Sequence, residues 1–375
     1  MKTIFTISLI TYLIHILLIS PKFLHMLQQN RYNRGYRYIK WIIKNYKDNF
    51  LNLNLIFFIF ILTGFSEKLN NITPYIFIII CLFLTYISFQ KRKKEQAKLP
   101  LKYTARIKRI ILTQTIFYLI PIIIFFIIFN TKYLSIYYLI LGLLSYFNCL
   151  ILILINFINR PLEYLVGQHF RKSAIAKLNS MTNMEVIGVT GSYGKTSTKN
   201  ILYDILNVNF NVFKTPANYN TPFGLMITIN EYLDQYNDYF IAEMGACKKG
   251  EIKELCDLVH PKYGIITRIG LAHLETFGSE EIIQSTKFEL IESLPSDGLG
   301  ILNGDDEKQL NYRIKNDCQI RWIGIDNHNV DCYAKDLELT YKGTKFKVKF
   351  KDDKKEYDFE TKLLGRNNIY NILGG

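Results

Sequence analysis

A lysine followed by two hydroxyl residues, Lys195-Thr196-Ser197, closes a short glycine turn, Thr190-Gly191-Ser192-Tyr193-Gly194. Such a turn aims backbone N–H groups and an ammonium at a polyphosphate, and the hydroxyl after the lysine is placed to hold magnesium. The spacing is G-x-x-G-K-T; the longer form with a further glycine is not met, because position 189 is valine. Three other groups could take part. Glu243 ends the apolar run Tyr239-Phe240-Ile241-Ala242, His273 lies in the loop Ile269–Gly278, and Lys287 sits within Ser285-Thr286-Lys287-Phe288-Glu289. By type and position alone, Glu243 reads equally as a metal ligand or a solvated strand-end acid. His273 reads as a structural loop residue and Lys287 as a solvated surface charge. Only their order along the chain raises the chemical reading.

These residues need a scaffold. From about Met184 onward, short apolar runs alternate with polar helical stretches. The strands predicted are Val186–Thr190, Tyr239–Glu243, Tyr263–Thr267, Gly300–Asn303 and Ile320–Ile325. The helices predicted are Thr196–Asn207, Lys248–Val259, Glu280–Leu294 and Glu307–Ile314. Strands alternating with helices argue for a mostly parallel, doubly wound sheet. Leu337–Tyr341 and Lys345–Lys351 flank Lys342-Gly343 and read as a terminal β-hairpin.

The upstream half differs in kind. Residues 1–179 hold 23 Lys and Arg against four Asp and Glu, whereas residues 180–375 hold 23 against 28. The net charge of +14 therefore belongs to the apolar half. Its cations lie between apolar segments, which favours membrane orientation and argues against a nucleic-acid partner. Five such segments stand out: Ile4–Ser20, Phe50–Ser66, Ile72–Phe89, Ile110–Phe129 and Leu134–Ile158. The second is short for a span of about 20 residues, and the last is long enough to tilt. Lys and Arg alternate across the loops: seven in 21–49, one in 67–71, nine in 90–109, one in 130–133 and four in 159–179. The cation-rich loops are expected in the cytoplasm, with the N-terminus outside and the nucleotide domain inside. The first segment has no small-x-small cleavage site before Pro21 and reads as an uncleaved anchor. Lys91-Arg92-Lys93-Lys94 is placed to meet anionic lipid, though topology signalling alone accounts for it. His15 reads as a packing histidine. The six cysteines show no metal-ligand spacing and read as reduced structural thiols.

The fold class expected is thus an α-helical transmembrane bundle (1–179, about five helices) followed by an α/β P-loop domain (180–375). Within the second part, six signposts in order resemble the Mur ligase family, the ATP-dependent amide ligases of peptidoglycan precursor synthesis. They are Thr190–Ser197, Thr215–Pro222, Glu243–Ala246, His273–Ser279, Thr286–Leu290 and Leu364–Asn371. The similarity covers roughly Glu185–Gly375 and is closest to the member that adds D-alanyl-D-alanine. It implies ATP and Mg²⁺ as cofactors, and a muramoyl-peptide acceptor joined to an amino acid or dipeptide through an acyl phosphate. Gly191, Ser192, Tyr193, Gly194, Lys195, Thr196 and Ser197 would bind nucleotide, with Asn368 and Asn371 near the adenine. Lys195, Glu243, His273 and Lys287 would be catalytic. Thr196 and Glu243 would hold one magnesium, and His273 a second, bridged by a carbamate on Lys287. Asn218, Asn220 and Thr221 would face the acceptor.

The resemblance also has departures. Asn367 stands where the family has a histidine, and Arg268 where it has an asparagine. A membrane bundle takes the place of the uridine-binding domain, which makes a lipid-linked precursor credible. The chain stops at Gly375, where the family's C-terminal lid begins, so a truncated ligase is expected. A nucleotide-binding membrane scaffold without catalysis is the alternative.

Overall fold

The computed structural model describes residues 2–30, 32, 36–59, 71–94, 100–129, 134–272 and 274–375. The chain divides into two compact units, 1–165 and 166–375.

The first unit is helical. Among the described residues, three helices are long and apolar enough to cross a membrane: Thr3–Gln29, Thr73–Lys91 and Ala105–Phe125. The apolar run Leu134–Ile158 is not one straight helix. Its pieces Ile136–Tyr146 and Asn148–Ile158 meet at 76°. Polar side chains gather at the break. Asn148 Oδ1 accepts from Gln114 Nε2 at 2.9 Å and from Tyr118 Oη at 2.8 Å, and Tyr118 Oη also reaches the Leu144 carbonyl at 3.4 Å. Tyr118 thus offers its hydroxyl to the backbone beside the bend. Of the segment Phe50–Ser66, Leu53–Phe58 forms a 3₁₀ helix, and the part from residue 60 lies outside the described residues. His15 is fully buried, its ring nitrogens each 3.0 Å from a hydroxyl, Thr85 Oγ1 and Ser145 Oγ. It packs as a satisfied histidine.

The second unit is built on a nine-stranded sheet. Its strands are β1 (Glu185–Thr190), β2 (Val212–Lys214), β3 (Tyr239–Glu243), β4 (Tyr263–Ile266), β5 (Leu299–Asn303), β6 (Gln319–Gly324), β7 (Cys332–Thr340), β8 (Gly343–Phe350) and β9 (Glu356–Thr361). Their order is β2-β3-β1-β4-β5-β6-β7-β8-β9. Every pairing from β2 to β7 is parallel, and β7-β8 and β8-β9 are antiparallel. Both faces of the parallel part are covered, which is why β1 reads as an unbroken apolar run. Val186 joins the larger core with Phe240 and Leu255, while Ile187 and Val189 pack with Leu202 of the helix Lys195–Leu206 on the opposite face.

The five expected parallel strands appear within a residue at each end, whereas the hairpin strands start earlier, β7 at Cys332 and β8 at Gly343. The helix expected over Glu280–Leu294 ends at Phe288 and continues as a 3₁₀ turn, Ile291–Ser293. The one expected over Glu307–Ile314 stops at Leu310. The hairpin does not end the domain: β9 adds a third antiparallel strand, and the helix Arg366–Leu373 follows.

Candidate functional site

β1 ends at Thr190, buried between β3 and β4, and the chain must then turn sharply into the helix Lys195–Leu206. Two glycines make the turn. Gly191 has φ +148° and Gly194 φ +85°, a region that disfavours side chains; a Cβ on Gly194 would also press on Asn371 Oδ1. The turn is strapped to the segment after β4. Ser192 N–H donates to the Arg268 carbonyl at 2.7 Å, Ser192 Oγ to the Gly270 carbonyl at 2.9 Å, and Thr267 Oγ1 to the Tyr193 carbonyl. Lys195 Nζ folds back onto the Gly191 carbonyl at 2.8 Å. Burial holds its pKa below the ordinary lysine range, partly opposed by the Glu243 carboxylate.

Thr196 points at the end of β3. Its Oγ1 donates to Glu243 Oε2 at 3.0 Å, so the two residues bring two hard oxygen donors together. That donor set suits Mg²⁺, which takes oxygen ligands and keeps waters or phosphates for the rest. Glu243 is 2% exposed, and its other oxygen accepts from Asn220 Nδ2 at 3.0 Å. It is not the solvated strand-end acid that type alone allowed.

Lys287 is 3% exposed on the helix Glu280–Phe288, so the surface-charge reading is overturned. Ile283 and Phe288 anchor that helix in the core, and the fourth residue of the turn goes inward with them. Burial first, and the Lys195 ammonium second, push its pKa down to about 8. Its Nζ lies 5.8 Å from the centre of the Phe277 ring. A partly neutral buried amine is a nucleophile, which is what carbamate formation needs. His273 lies outside the described residues.

Beside the turn is a cavity of about 390 Å³, lined by Tyr193, Gly194, Ser197, Thr267, Arg268, Asn303, Asn367, Asn368, Tyr370 and Asn371. Asn371 Oδ1 accepts from Thr198 Oγ1 at 3.0 Å, and its amide donates to Asn368 Oδ1 at 3.3 Å. The helix Arg366–Leu373 thereby forms one wall, with the phosphate-loop helix opposite. A second cavity, of about 740 Å³, shares Tyr193, Arg268, Asn303 and Tyr370 with the first. Asn218 is exposed. Thr221 caps the helix Pro222–Ile227, its Oγ1 accepting from Gly224 N–H at 3.3 Å.

Lys199, Arg268, Asn303 and Tyr370 are site residues that the motif reading did not assign. For Lys199 a signal existed: it falls one helical turn after Lys195, on the same side of the helix. Asn303 ends β5 at the same sheet edge as Glu243, a position legible only once the strand order is known.

Known proteins resemble this chain over its second half. The model of the Mur ligase middle domain matches residues 189–375. The UDP-N-acetylmuramoyl-tripeptide–D-alanyl-D-alanine ligase of Bacillus subtilis is 36% identical over 188 residues, 50% of this chain and 39% of that protein. Its Escherichia coli counterpart is 31% identical over 224 residues, 58% of this chain and 49% of that protein. This chain thus spans less than half the length of either relative. Among solved structures, MurF from Acinetobacter baumannii superposes with TM-score 0.51 at 26% identity, covering 55% of this chain and 44% of that one. Thermotoga maritima MurF, solved with ADP, gives TM-score 0.50 at 29% identity over 56% of this chain and 47% of that one. The glycine turn strapped to the segment after β4, the Glu243 carboxylate that meets Thr196 and the buried Lys287 all fall within the matched region, and through residues 189–375 the chain belongs to the Mur ligase family.

Proposed function

We propose that the protein is a membrane-anchored, ATP-dependent carbon–nitrogen ligase of peptidoglycan precursor synthesis. The relatives named above support D-alanyl-D-alanine as the amine and a muramoyl tripeptide as the acceptor. The observation that carries the reading is the convergence of Lys195, Thr196 and Glu243 at the ends of β1 and β3, with Lys287 buried nearby. Lys195 releases the Gly191 carbonyl and neutralises the transferring phosphoryl group. The acceptor carboxylate takes the γ-phosphoryl group of ATP, releasing ADP, and the incoming amine then attacks the acyl carbon, displaces phosphate and gives up a proton to form the amide. Thr196 and Glu243 would hold one magnesium, which supplies charge neutralisation to the phosphates when bound. A carbamate on Lys287 would present an anionic oxygen where a free ammonium repels a cation. Asn368, Asn371 and Tyr193 line the base pocket, and Asn218 and Asn220 face the acceptor.

The apolar helices and their cation-rich loops support a reading in which this chemistry takes place at the cytoplasmic face of a bacterial membrane, in contact with lipid. They also favour a second reading of the acceptor, as a lipid-linked precursor. Calorimetry of the detergent-solubilised chain with a non-hydrolysable ATP analogue tests the nucleotide site. Wild type is expected to bind, and Lys195→Ala to lose about tenfold or more in affinity. Unchanged affinity in that variant would remove the phosphate-loop assignment. Phosphate release driven by the nucleotide-linked or the lipid-linked acceptor then separates the two readings.

A further inference from the structure

Lys199 and Glu243 are each 2% exposed and form an ion pair, with Nζ 3.0 Å from Oε2. The same ammonium donates to the carbonyls of Thr215 at 2.9 Å and Ala217 at 2.8 Å. Its three protons are all committed. Lysine is rarely buried so fully, and here the burial is tied to a carboxylate placed to ligate a metal. That carboxylate is crowded. Oε2 receives both Lys199 and the Thr196 hydroxyl, and Oε1 receives Asn220 Nδ2. A carboxylate offers about four lone-pair directions, so little acceptor capacity remains.

We propose that Lys199 is a positioning residue that prevents Glu243 and Thr196 from capturing a free divalent cation, so that metal enters this site only together with nucleotide phosphates. The inference rests on the phosphate-loop reading above. Its basis is local charge. The ammonium cancels the carboxylate, so a lone cation meets a nearly neutral pair and gains little for shedding its waters. Phosphate oxygens held by the glycine turn change that balance, since they bring their own negative charge. Lys199 cannot swing away to make room, because two backbone carbonyls hold it. Those carbonyls belong to the segment Thr215–Asn220, which also delivers Asn220 to Oε1. One lysine therefore fixes the carboxylate and the acceptor-facing loop together.

The test is Mn²⁺ binding to the whole chain, residues 1–375, in detergent, read by electron paramagnetic resonance without nucleotide. Lys199→Met is expected to bind Mn²⁺ about tenfold or more tighter than wild type, a gain that simple loss of packing would not produce. Lys199→Arg keeps the charge and is expected to stay weak. Equal affinity in wild type and a folded Lys199→Met overturns the proposal. A measurement on wild type alone guards against a variant that does not fold. Nucleotide-free wild type must bind Mn²⁺ far more weakly than protein loaded with the ATP analogue, and equal binding overturns the proposal too. Calorimetry with the analogue separates the two levels. If wild type binds the analogue but shows no Mn²⁺ contrast, only the role of Lys199 falls; if it binds no analogue, the phosphate-loop reading falls with it.

Discussion

Lys287 is held inside the second unit with its pKa brought from 10.5 to about 8, chiefly by burial. The folded chain therefore takes up that proton less readily than the unfolded chain. Between about pH 8 and 10.5 the unfolded state carries more protons, so stability rises with pH across that window, and the full cost is present below it. Lys287→Met is accordingly expected to be more stable than wild type at pH 7, by up to roughly 3 kcal/mol, and to lose the advantage above about pH 10. Denaturant melts at both pH values check this. The same position has a functional arm: Lys287→Ala is expected to abolish ligation while leaving ATP-analogue affinity within about threefold of wild type, with added bicarbonate restoring nothing. A wild-type ligation rate in that variant would remove the carbamate assignment. At this scale the sequence was legible where spacing is local. The turn, Lys195 and Thr196 announce themselves in consecutive residues. Lys287 and Glu243 did not, because burial depends on which face of a helix or strand end meets a distant part of the chain.

Among the elements, the helix Arg366–Leu373 is joined to the end of β5 through one acid. Asp305 accepts from the backbone N–H groups of Ile325, Asp326 and Asn327 and from Tyr370 Oη at 2.7 Å. Those bonds hold its carboxyl below the usual range, against the opposing effect of burial. Asp305→Ala leaves three N–H groups seeking partners and is expected to cost about 2–4 kcal/mol, whereas Tyr370→Phe removes one bond and should cost about 1 kcal/mol. Chemical denaturation of the two variants checks the ratio. A cost for Asp305→Ala no larger than for Tyr370→Phe would show that the acid does not clamp the loop. The parallel strands were readable because burial on both faces leaves an apolar run. β2 and β9 were not: β2 is three residues long, and β9 is an exposed edge strand, Glu356-Tyr357-Asp358-Phe359-Glu360-Thr361, mixing charge with aromatic residues. The break at Phe147 was equally hidden, since Asn148 looks like one polar residue in an apolar run until Gln114 and Tyr118 meet it.

The two units carry opposite charge balances, and that asymmetry yields a topology test. Counting Phe50–Ser66 as a span places residues 21–49 in the cytoplasm. Counting only the three long apolar helices among the described residues and the bent pair, four spans, places them outside. Both counts keep Lys108 inside and Lys132 outside. In cells treated with a membrane-impermeant thiol reagent, Lys132→Cys is expected to be labelled and Lys108→Cys protected. Lys40→Cys is expected to be protected as well, since its loop carries seven cations; labelling there would mean that Phe50–Ser66 does not cross.

The strand order has a consequence for synthesis. β1 lies inside the sheet between β3 and β4, yet it leaves the ribosome before either. The apolar run Val186–Val189 and the phosphate turn after it are thus made early and finished late, when Tyr263–Ile266 arrives to close the second side. Parallel pairing across such intervals is slow, and an unclosed apolar strand invites wrong partners in the meantime. The nascent domain therefore carries an unclosed apolar strand while residues between Thr190 and Ile266 are being added.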